Sequence, residues 1–255
     1  MQWIKSLVGH SGCSIDLYCK DNIYYVVKQG KNNLAKSAHI LNEFKELGFY
    51  TPDIKIIKDD KIIMEYINGV DMQTYIYNAD NKQILKLVDF INTYIERSKD
   101  FETVDISNKV LSKIKEIEGK INTSDLTFDV FELYEYLPTI GKCGLIHGDL
   151  TLDNILYYND KFYLIDSNPT DIKSIEYDAN KILQDLDCLW FVRDEKDKIG
   201  YRITCEKISQ HLKNKWDFLN NKYILIFMLL RVLPYCKNEK TKTFITKEVN
   251  NLWQS

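Results

Sequence analysis

The pattern of hydrophobic and polar positions divides the chain into a β-rich beginning and a long, mainly helical remainder. In the first 70 residues, short apolar and β-branched runs are bounded by Gly, Asp or Asn, which is typical of strands and hairpins. These runs predict strands at residues 4–8, 15–19, 24–28, 54–58 and 61–64. Between the third and fourth runs, apolar residues recur every three or four positions from Leu34 to Leu47, and Gly48 follows as a stop, so we predict one helix there.

After Gly69 the pattern becomes helical, with one interruption. Apolar periodicity predicts helices at residues 84–97, 104–118, 125–136, 177–191, 203–212, 219–233 and 242–252. The interruption is a pair of strand-like runs, 155–158 and 162–165, on either side of a polar turn, and it predicts a hairpin. We therefore expect an α+β fold with a β-rich domain over residues 1–69 and a larger helical domain over residues 70–255.

Composition excludes several classes of protein. A chain of 255 residues that is 45% hydrophobic can build a core, which excludes a disordered tail and a disulfide-stapled mini-protein. The net charge of −3 argues against a globally basic nucleic-acid binder, and the six dispersed cysteines argue against a zinc site or a disulfide framework. The longest apolar run, residues 223–230, is too short to span a bilayer and predicts a buried helix. Since the amino terminus lacks a secretory-signal pattern, we expect a soluble protein of the cytoplasm that does not associate with membranes.

Charge is unevenly distributed along the chain. Residues 1–70 carry 9 basic and 8 acidic side chains, residues 71–197 carry 14 and 25, and residues 198–255 carry 11 and 4. The corresponding net charges are +1, −11 and +7. An acidic middle is usually a set of solvated helix faces, unless a motif within it assigns the carboxylates to chemistry.

Two features of the β-rich part suit phosphate binding. Gly9 and Gly12 lie between the first two predicted strands, where glycine lets backbone N–H groups approach phosphate oxygens, although a hairpin turn also needs glycine for its own geometry. Lys28 closes the third predicted strand. A lysine at a strand end is ordinarily a surface charge, but kinase-type sites use a third-strand lysine to contact ATP phosphates, paired with a glutamate of the next helix.

The strongest motif lies in the acidic middle. Residues 147–154 read H-G-D-L-T-L-D-N, and the predicted hairpin that follows ends in Ile165-Asp166. This spacing gives one carboxylate, Asp149, that can meet a substrate hydroxyl, and two oxygen ligands, Asn154 and Asp166, that suit Mg²⁺. Their order along the chain after the glycine turn and Lys28 makes an accidental match improbable.

These residues, together with the run I-I-M-E-Y-I-N-G at 62–69, resemble the kinase-like superfamily, and within it the aminoglycoside phosphotransferase and choline kinase branch. The resemblance covers about residues 3–190. It implies a bilobal protein kinase-like fold, with a small β-rich N-lobe (residues 1–69), a larger helical C-lobe (residues 70–255), and ATP with Mg²⁺ as cofactors. By the same resemblance, Asp149 accepts or orients the proton of the acceptor hydroxyl, Asn154 and Asp166 hold Mg²⁺, and Lys28 contacts the ATP phosphates.

The resemblance also assigns roles to backbone and helix positions. The main chain of Glu65 and Ile67 would hydrogen-bond the adenine, and His147 would brace the catalytic loop. Glu43 is the acid best spaced to pair with Lys28, although a count back from the end of the helix puts His39 or Ile40 at the family's glutamate position.

The sequence departs from protein kinases after the metal aspartate. No Phe-Gly follows Asp166 and no A-P-E segment comes later, which argues against a phosphorylation-gated protein kinase. The acidic segment at 176–181 instead resembles the helix start of small-molecule members, and we expect Asp178 to cap that helix and to brace the catalytic loop.

The sequence leaves the identity of the acceptor open. The resemblance places its pocket in the helical segments 71–140 and 175–255, where Asp185, Asp187 and Asp194 with Trp190 could bind a cationic acceptor. Trp190 and Trp216 suit a core role equally well. The basic segment 198–255 points instead to an anionic acceptor, an acidic protein partner or nucleic acid, or it is a solvated helical face.

We expect phosphorylation of a hydroxyl on a small metabolite, namely a sugar, an amino-sugar or an amino alcohol. Two alternatives stay open. One is a regulatory kinase or ATPase in a protein complex, since H-G-D-L-T also resembles the small atypical kinase of tRNA-modification complexes. The other is a nucleotide-binding pseudokinase.

Overall fold

The computed structural model describes residues 1–7, 12–30 and 33–255. The strands are β1 (Gln2–Ser6), β2 (Ser14–Lys20), β3 (Ile23–Gln29), β4 (Ile54–Lys58), β5 (Lys61–Glu65), β6 (Val70–Asp71), β7 (Lys99–Asp105), β8 (Ile140–Gly144), β9 (Ile155–Tyr158) and β10 (Lys161–Leu164). The α-helices are α1 (Leu34–Glu46), α2 (Met72–Asn78), α3 (Asn81–Ser98), α4 (Ser107–Glu118), α5 (Ile175–Leu186), α6 (Ile199–Lys215), α7 (Lys222–Leu230) and α8 (Glu239–Gln254).

The chain divides into two compact units that do not follow its linear order. The first unit combines Met1–Tyr75 with two later segments, His147–Asp149 and Asp153–Pro169, and the second unit holds the rest. The predicted catalytic loop and hairpin are thus largely part of the same unit as the amino-terminal sheet. The predicted domain boundary after Gly69 cuts the chain into two continuous segments, whereas these units combine separate segments. That boundary stays a prediction.

The first unit is built on a five-stranded antiparallel sheet with strand order β1-β2-β3-β5-β4. Helix α1 packs on one face of this sheet because its apolar stripe meets the apolar residues of β3 and β5. Leu34 and Ala38 from the helix are buried against Val26, Ile62 and Met64. Removal of this apolar surface from water holds α1 beside the strand that carries Lys28.

The β9–β10 hairpin completes the first unit and agrees with the sequence prediction. Its two-residue turn, Asn159-Asp160, has φ angles of 46° and 65°, which are the left-handed values that a tight type I′ hairpin turn requires. In the antiparallel register Leu164 pairs with Ile155. The residues just outside this pair, Asn154 and the 165–166 segment, therefore lie at the same end of the hairpin.

The second unit is mainly helical. Helix α7 is apolar all round, with its residues from Ile224 to Leu230 buried, and it packs against α5 and α8, as the sequence predicts for this run. The antiparallel pair β7–β8 is its small sheet. In the part of the chain that the structure describes, no helix is long and apolar enough to cross a membrane.

In this unit one helix prediction is confirmed with a later start, and another is wrong. The predicted helix 104–118 begins only at Ser107, because residues 99–105 form β7 instead. The predicted helix 125–136 is reduced to a short 3-10 turn at Glu132–Tyr136. Here the Asp129 carboxylate accepts from the Phe131 amide at 2.8 Å, and the Thr127 amide donates to Asn250 at 2.9 Å. Such side-chain bonds give the backbone an alternative to helix formation.

The uneven charge seen in the sequence is partly balanced inside the second unit. Three lysines of the basic segment form ion pairs with acids of the acidic middle: Lys213 with Asp187 at 2.6 Å, Lys215 with Glu96 at 2.6 Å, and Lys240 with Asp194 at 2.7 Å. These pairs use part of the +7 charge within the fold. The Lys215–Glu96 and Lys240–Asp194 pairs are well exposed, so these two pairs stabilise the fold only weakly.

Glu116 offers a test of one surface charge cluster. Its carboxylate accepts from Lys120 at 2.8 Å and from the Tyr235 hydroxyl at 3.0 Å, and it also pairs with Lys113. The hydrogen bond from Lys113, followed by that from Lys120, lowers the pKa of Glu116 from 4.5 to about 2. Its contribution to stability is therefore present above pH 4.5 and is lost as the pH falls toward 2.

We expect Glu116→Gln to lower the free energy of unfolding at pH 7 by no more than about 1 kcal/mol, because solvent screens the cluster. Denaturant unfolding across pH 2 to 7 checks this, with the exposed Glu118→Gln as the control. The difference between Glu116→Gln and the wild type should shrink as the pH falls through this window. A difference independent of pH would contradict the assignment.

Candidate active site

A short loop, His147-Gly148-Asp149, presents the predicted catalytic carboxylate. Gly148 has a φ of 81°, a left-handed value that favours glycine, and this accounts for Gly between the His and the Asp. His147 is fully buried and its Nε2 donates to the Ile165 carbonyl at 3.0 Å, while its own carbonyl accepts from the Asn168 amide at 2.8 Å. His147 therefore ties this loop to the segment that carries Asp166, which supports the expected bracing role.

Asn154 positions Asp149 directly. The Asn154 Nδ2 donates to the Asp149 carbonyl at 2.8 Å and to the Asp149 Oδ2 at 3.1 Å. One amide group thus fixes both the backbone and the carboxylate of Asp149. Because its nitrogen is engaged in these bonds, Asn154 has its amide oxygen left to coordinate a metal ion.

Asp166 follows β10 in a conformation that is rare for its residue type. Its φ is 55°, a left-handed value that costs free energy for a residue other than glycine and that is concentrated at functional sites. Its carboxylate forms an ion pair with the ammonium of Lys28, which is buried on β3. The structure therefore joins two residues that the sequence places 138 positions apart.

The oxygen groups in this unit fit a magnesium ion that arrives with a nucleotide. Among the described residues, no cluster of three or more His, Cys, Asp and Glu side chains could hold a metal ion alone. Magnesium in phosphotransfer sites uses one or two carboxylates and completes its coordination with phosphate oxygens and water. The Asn154 amide oxygen and the partly exposed Asp166 carboxylate are a donor set of that kind.

The structure does not bring Glu43 to Lys28. Glu43 lies on the exposed side of α1, whereas the helix faces the sheet with Leu34, Ser37, Ala38, Leu41 and Phe44. Among the described residues, the ion-pair partner of Lys28 is Asp166. The α1 residue that contacts the Asp166 segment is Ser37, whose hydroxyl donates to the Ser167 carbonyl. Neither His39 nor Ile40 belongs to the buried side of the helix.

Three of the remaining predicted nucleotide contacts, Gly12, Glu65 and Ile67, are described and belong to the same unit. Gly12, between β1 and β2, has a φ of 75° and is the first residue described after residues 8–11. Gly9 lies outside the described residues. The Glu65 amide donates to the Asp53 carbonyl at 2.8 Å, so it is not available to a nucleotide, but its carbonyl is at the end of β5. Among the described residues, no backbone carbonyl accepts a hydrogen bond from the Ile67 amide. An adenine contact would require this amide to be without a backbone acceptor.

Asp185 supports the catalytic loop from within the second unit, a role that we predicted for Asp178. The fully buried Asp185 carboxylate accepts from the Leu152 amide at 2.6 Å. Asp178 is inside α5, after the N-cap residue Ser174, and accepts from the Tyr94 hydroxyl, so the prediction that it caps the helix is wrong. The sequence signal for Asp185 was an acid on the apolar face of a helix.

Replacement of Asp185 tests this support. In Asp185→Ala the buried Leu152 amide loses its acceptor, so we expect the free energy of unfolding to fall by about 1–3 kcal/mol. Asp185→Asn keeps an acceptor oxygen and should lose less. Denaturant unfolding measures both, and equal stability of the alanine variant and the wild type would contradict the role.

The acids considered for a cationic acceptor already have partners. Asp185 bonds Leu152, Asp187 accepts from Ser209 and Lys213 at 2.6 Å each, and Asp194 pairs with Lys240. The two tryptophans also have internal partners. The Arg193 guanidinium lies 4.1 Å from the Trp190 ring centroid, and the Trp216 Nε1 donates to Asn92 at 2.8 Å. A structural role accounts for these residues without a ligand.

Solved structures of known proteins share the fold of this chain. A family model described as the RIO domain matches residues 101–190, and no curated protein matches the sequence. A ligand-free thermostable mutant of the aminoglycoside phosphotransferase APH(4)-Ia aligns with a TM-score of 0.71 at 10% identity, covering 100% of this chain and 94% of that chain.

Two further solved structures are similar over nearly the whole chain. The streptomycin–ATP complex of APH(2")-IIa aligns with a TM-score of 0.58 at 18% identity, covering 100% of this chain and 92% of that chain. The amicoumacin kinase hAmiN, in complex with AMP-PNP, Ca²⁺ and amicoumacin, aligns with a TM-score of 0.66 at 13% identity, covering 98% and 88%.

The chain therefore has the fold of these solved structures. It has the predicted β-rich amino-terminal sheet and helical carboxy-terminal part. This fold is shared by aminoglycoside phosphotransferases and amicoumacin kinase, so the predicted resemblance is confirmed at the level of fold.

Proposed function

We propose that the protein is an ATP-dependent phosphotransferase that phosphorylates a hydroxyl of a small metabolite. The observation that carries this proposal is the assembly of Lys28, Asp149, Asn154 and Asp166 within one compact unit by an ion pair and direct hydrogen bonds. Their residue types match the needs of phosphoryl transfer, in which the protein mainly positions groups and stabilises charge.

Each of these residues would perform one task. Asp149, oriented by Asn154, accepts the proton of the acceptor hydroxyl while the new O–P bond forms and the bond from the γ-phosphorus to the β-phosphate oxygen breaks. Asn154 and Asp166 would hold Mg²⁺, which neutralises phosphate charge when it is bound. The Lys28 ammonium, now on Asp166, would then contact phosphate oxygens of ATP.

A sugar, an amino-sugar or an amino alcohol is the acceptor class that we propose. Structures of similar fold are complexes with hygromycin B, streptomycin or amicoumacin, and these ligands belong to those proteins. In this chain the second unit has an open cavity of about 650 Å³, lined by Tyr77, Asp194, Glu195, Lys196, Asp197, Gly200 and Tyr201. Asp194 is already paired with Lys240, but the aromatic rings and the carboxylates of Glu195 and Asp197 suit a hydroxylated ligand that also carries an amine.

A second candidate is a regulatory kinase or ATPase that acts in a protein complex. A family model described as the RIO domain, and not as an aminoglycoside phosphotransferase, matches residues 101–190, so this alternative is kept. The two functions differ in whether ATP consumption requires an acceptor. A metabolite kinase needs its acceptor, whereas an ATPase releases ADP without one.

An ATP-consumption screen with Mg²⁺ separates them. The panel contains neutral sugars, amino-sugars, amino alcohols, nucleosides and aminoglycosides, beside a reaction without any acceptor. We expect ADP release only with an acceptor. Equal release without acceptor would support the ATPase, and nucleotide binding without any release would support a pseudokinase.

A further inference from the structure

Helix α1 carries no acid that pairs with Lys28, although kinase-type sites use such a pair to fix this helix. Its only acids are Glu43 and Glu46, and both are exposed. Some other contact must therefore connect α1 to the segment that carries Asp166.

Two buried serines form that connection through reciprocal hydrogen bonds. The Ser167 hydroxyl donates to the Ser37 carbonyl at 2.7 Å, and the Ser37 hydroxyl donates to the Ser167 carbonyl. Ser37 is 7% exposed and Ser167 is 1% exposed. A buried hydrogen-bonding group that loses its partner costs about 1–3 kcal/mol, so neither serine can turn away without penalty.

These bonds act on the residue next to the metal aspartate. Ser167 follows Asp166 directly, and the segment on both sides is also held by His147, through the Ile165 carbonyl and the Asn168 amide. The backbone around Asp166, with its φ of 55°, is thus fixed from the catalytic loop and from α1. A left-handed residue persists only where its surroundings determine it in this way.

We propose that Ser37 and Ser167 are a positioning pair that sets the Asp166 carboxylate for Mg²⁺, in place of an ion pair between Lys28 and an acid of α1. This inference rests on the proposed function, since it assumes that Asp166 binds the metal of a Mg²⁺–ATP complex. In this arrangement α1 is connected to the metal aspartate by uncharged bonds. Among the described residues, Asp166 is the ion-pair partner that Lys28 would leave when phosphate arrives.

The test is a Mg²⁺ titration of ATP-induced thermal stabilisation, at fixed ATP and without acceptor. Ser37→Ala and Ser167→Ala should each raise the half-saturating Mg²⁺ concentration about 10-fold, as loss of a group that orients a metal ligand typically does. The double variant should resemble either single variant, because the two bonds fix one geometry. With an identified acceptor, turnover should fall at low Mg²⁺ and recover partly at saturating Mg²⁺.

Ser209→Ala is the matched control, because Ser209 is 3% exposed and donates to Asp187 in the second unit. It should lower the melting temperature without moving the Mg²⁺ midpoint. Ser167→Thr, which keeps the hydroxyl, should retain the wild-type midpoint, and it carries the test if the alanine variants do not fold.

The outcomes are distinct for the two proposals. Alanine variants with the wild-type midpoint, or a folded Ser167→Thr with the alanine phenotype, overturn the positioning role. So does a wild-type protein whose ATP binding is independent of Mg²⁺. If Mg²⁺–ATP binds as expected and the serine variants shift the midpoint, but no acceptor is ever phosphorylated, the positioning pair stands and the proposed function fails.

Discussion

Asp149→Asn is expected to reduce phosphotransfer by at least about 10²-fold, the smallest contribution usual for a positioned proton acceptor. The substitution keeps the size of the side chain and removes its ability to take the hydroxyl proton. Because Lys28, Asn154 and Asp166 are unchanged, ATP with Mg²⁺ should still raise the melting temperature as it does for the wild type. Steady-state turnover and thermal shift measure the two effects separately.

Asp153→Asn is the control for this prediction, since Asp153 is an exposed acid on the same loop. We expect it to keep most of the activity. Full turnover by Asp149→Asn would remove Asp149 from the chemistry. Loss of ATP binding together with turnover would show that Asp149 acts in nucleotide binding instead.

The second large effect is expected for Asp166→Asn, which should weaken Mg²⁺ binding. The variant loses the carboxylate proposed to hold Mg²⁺ and leaves the buried Lys28 ammonium without its ion-pair partner. We expect a loss of turnover of at least about 10²-fold, comparable to loss of a group that stabilises transition-state charge. ATP-induced stabilisation should also require much more Mg²⁺, which a metal titration measures.

The matched control lies on the same hairpin. Asp160 is an exposed turn residue whose carboxylate accepts from the Tyr157 hydroxyl at 2.6 Å, so Asp160→Asn changes a charge away from Asp166. It should leave the Mg²⁺ requirement unchanged. An Asp166→Asn variant with normal Mg²⁺ dependence would rule out Asp166 as a metal ligand.

Much of the site was predictable because its residues are ordered along the chain in short motifs. Lys28 closes a strand that the apolar run defines, and Asp149, Asn154 and Asp166 follow a loop and hairpin whose turn chemistry is local. The structure brings these four residues into one unit. Their individual roles stay predictions until the variants are measured.

The partner of Lys28 was not predictable from spacing. Which residues of α1 face the sheet depends on the rotation of the helix, and a shift of one residue turns a side chain by about 100°. The apolar stripe of Leu34, Ala38 and Leu41 carried a usable signal, since Ser37 is the polar residue within it. A polar residue on a buried helix face usually has a specific hydrogen-bond partner.

The β7–β8 sheet was missed for a different reason. Residues 99–105 read K-D-F-E-T-V-D, which is charged and lacks the clear alternation of a half-buried strand. The pairing partner begins only at Ile140, so the strand is stabilised by a distant segment and not by its local sequence. Tertiary context determines strands of this kind more than propensity does.

The most direct test of the proposed function follows the γ-phosphoryl group itself. The wild-type protein and Asp149→Asn are incubated with γ-labelled ATP, Mg²⁺ and a protein-free metabolite extract, and the labelled products are separated. We expect the wild type to place the label on a hydroxyl of a small molecule, and Asp149→Asn to leave that product unlabelled. Label found only in inorganic phosphate or on protein, or the same labelled metabolite from both proteins, would contradict a small-molecule phosphotransferase that acts through Asp149.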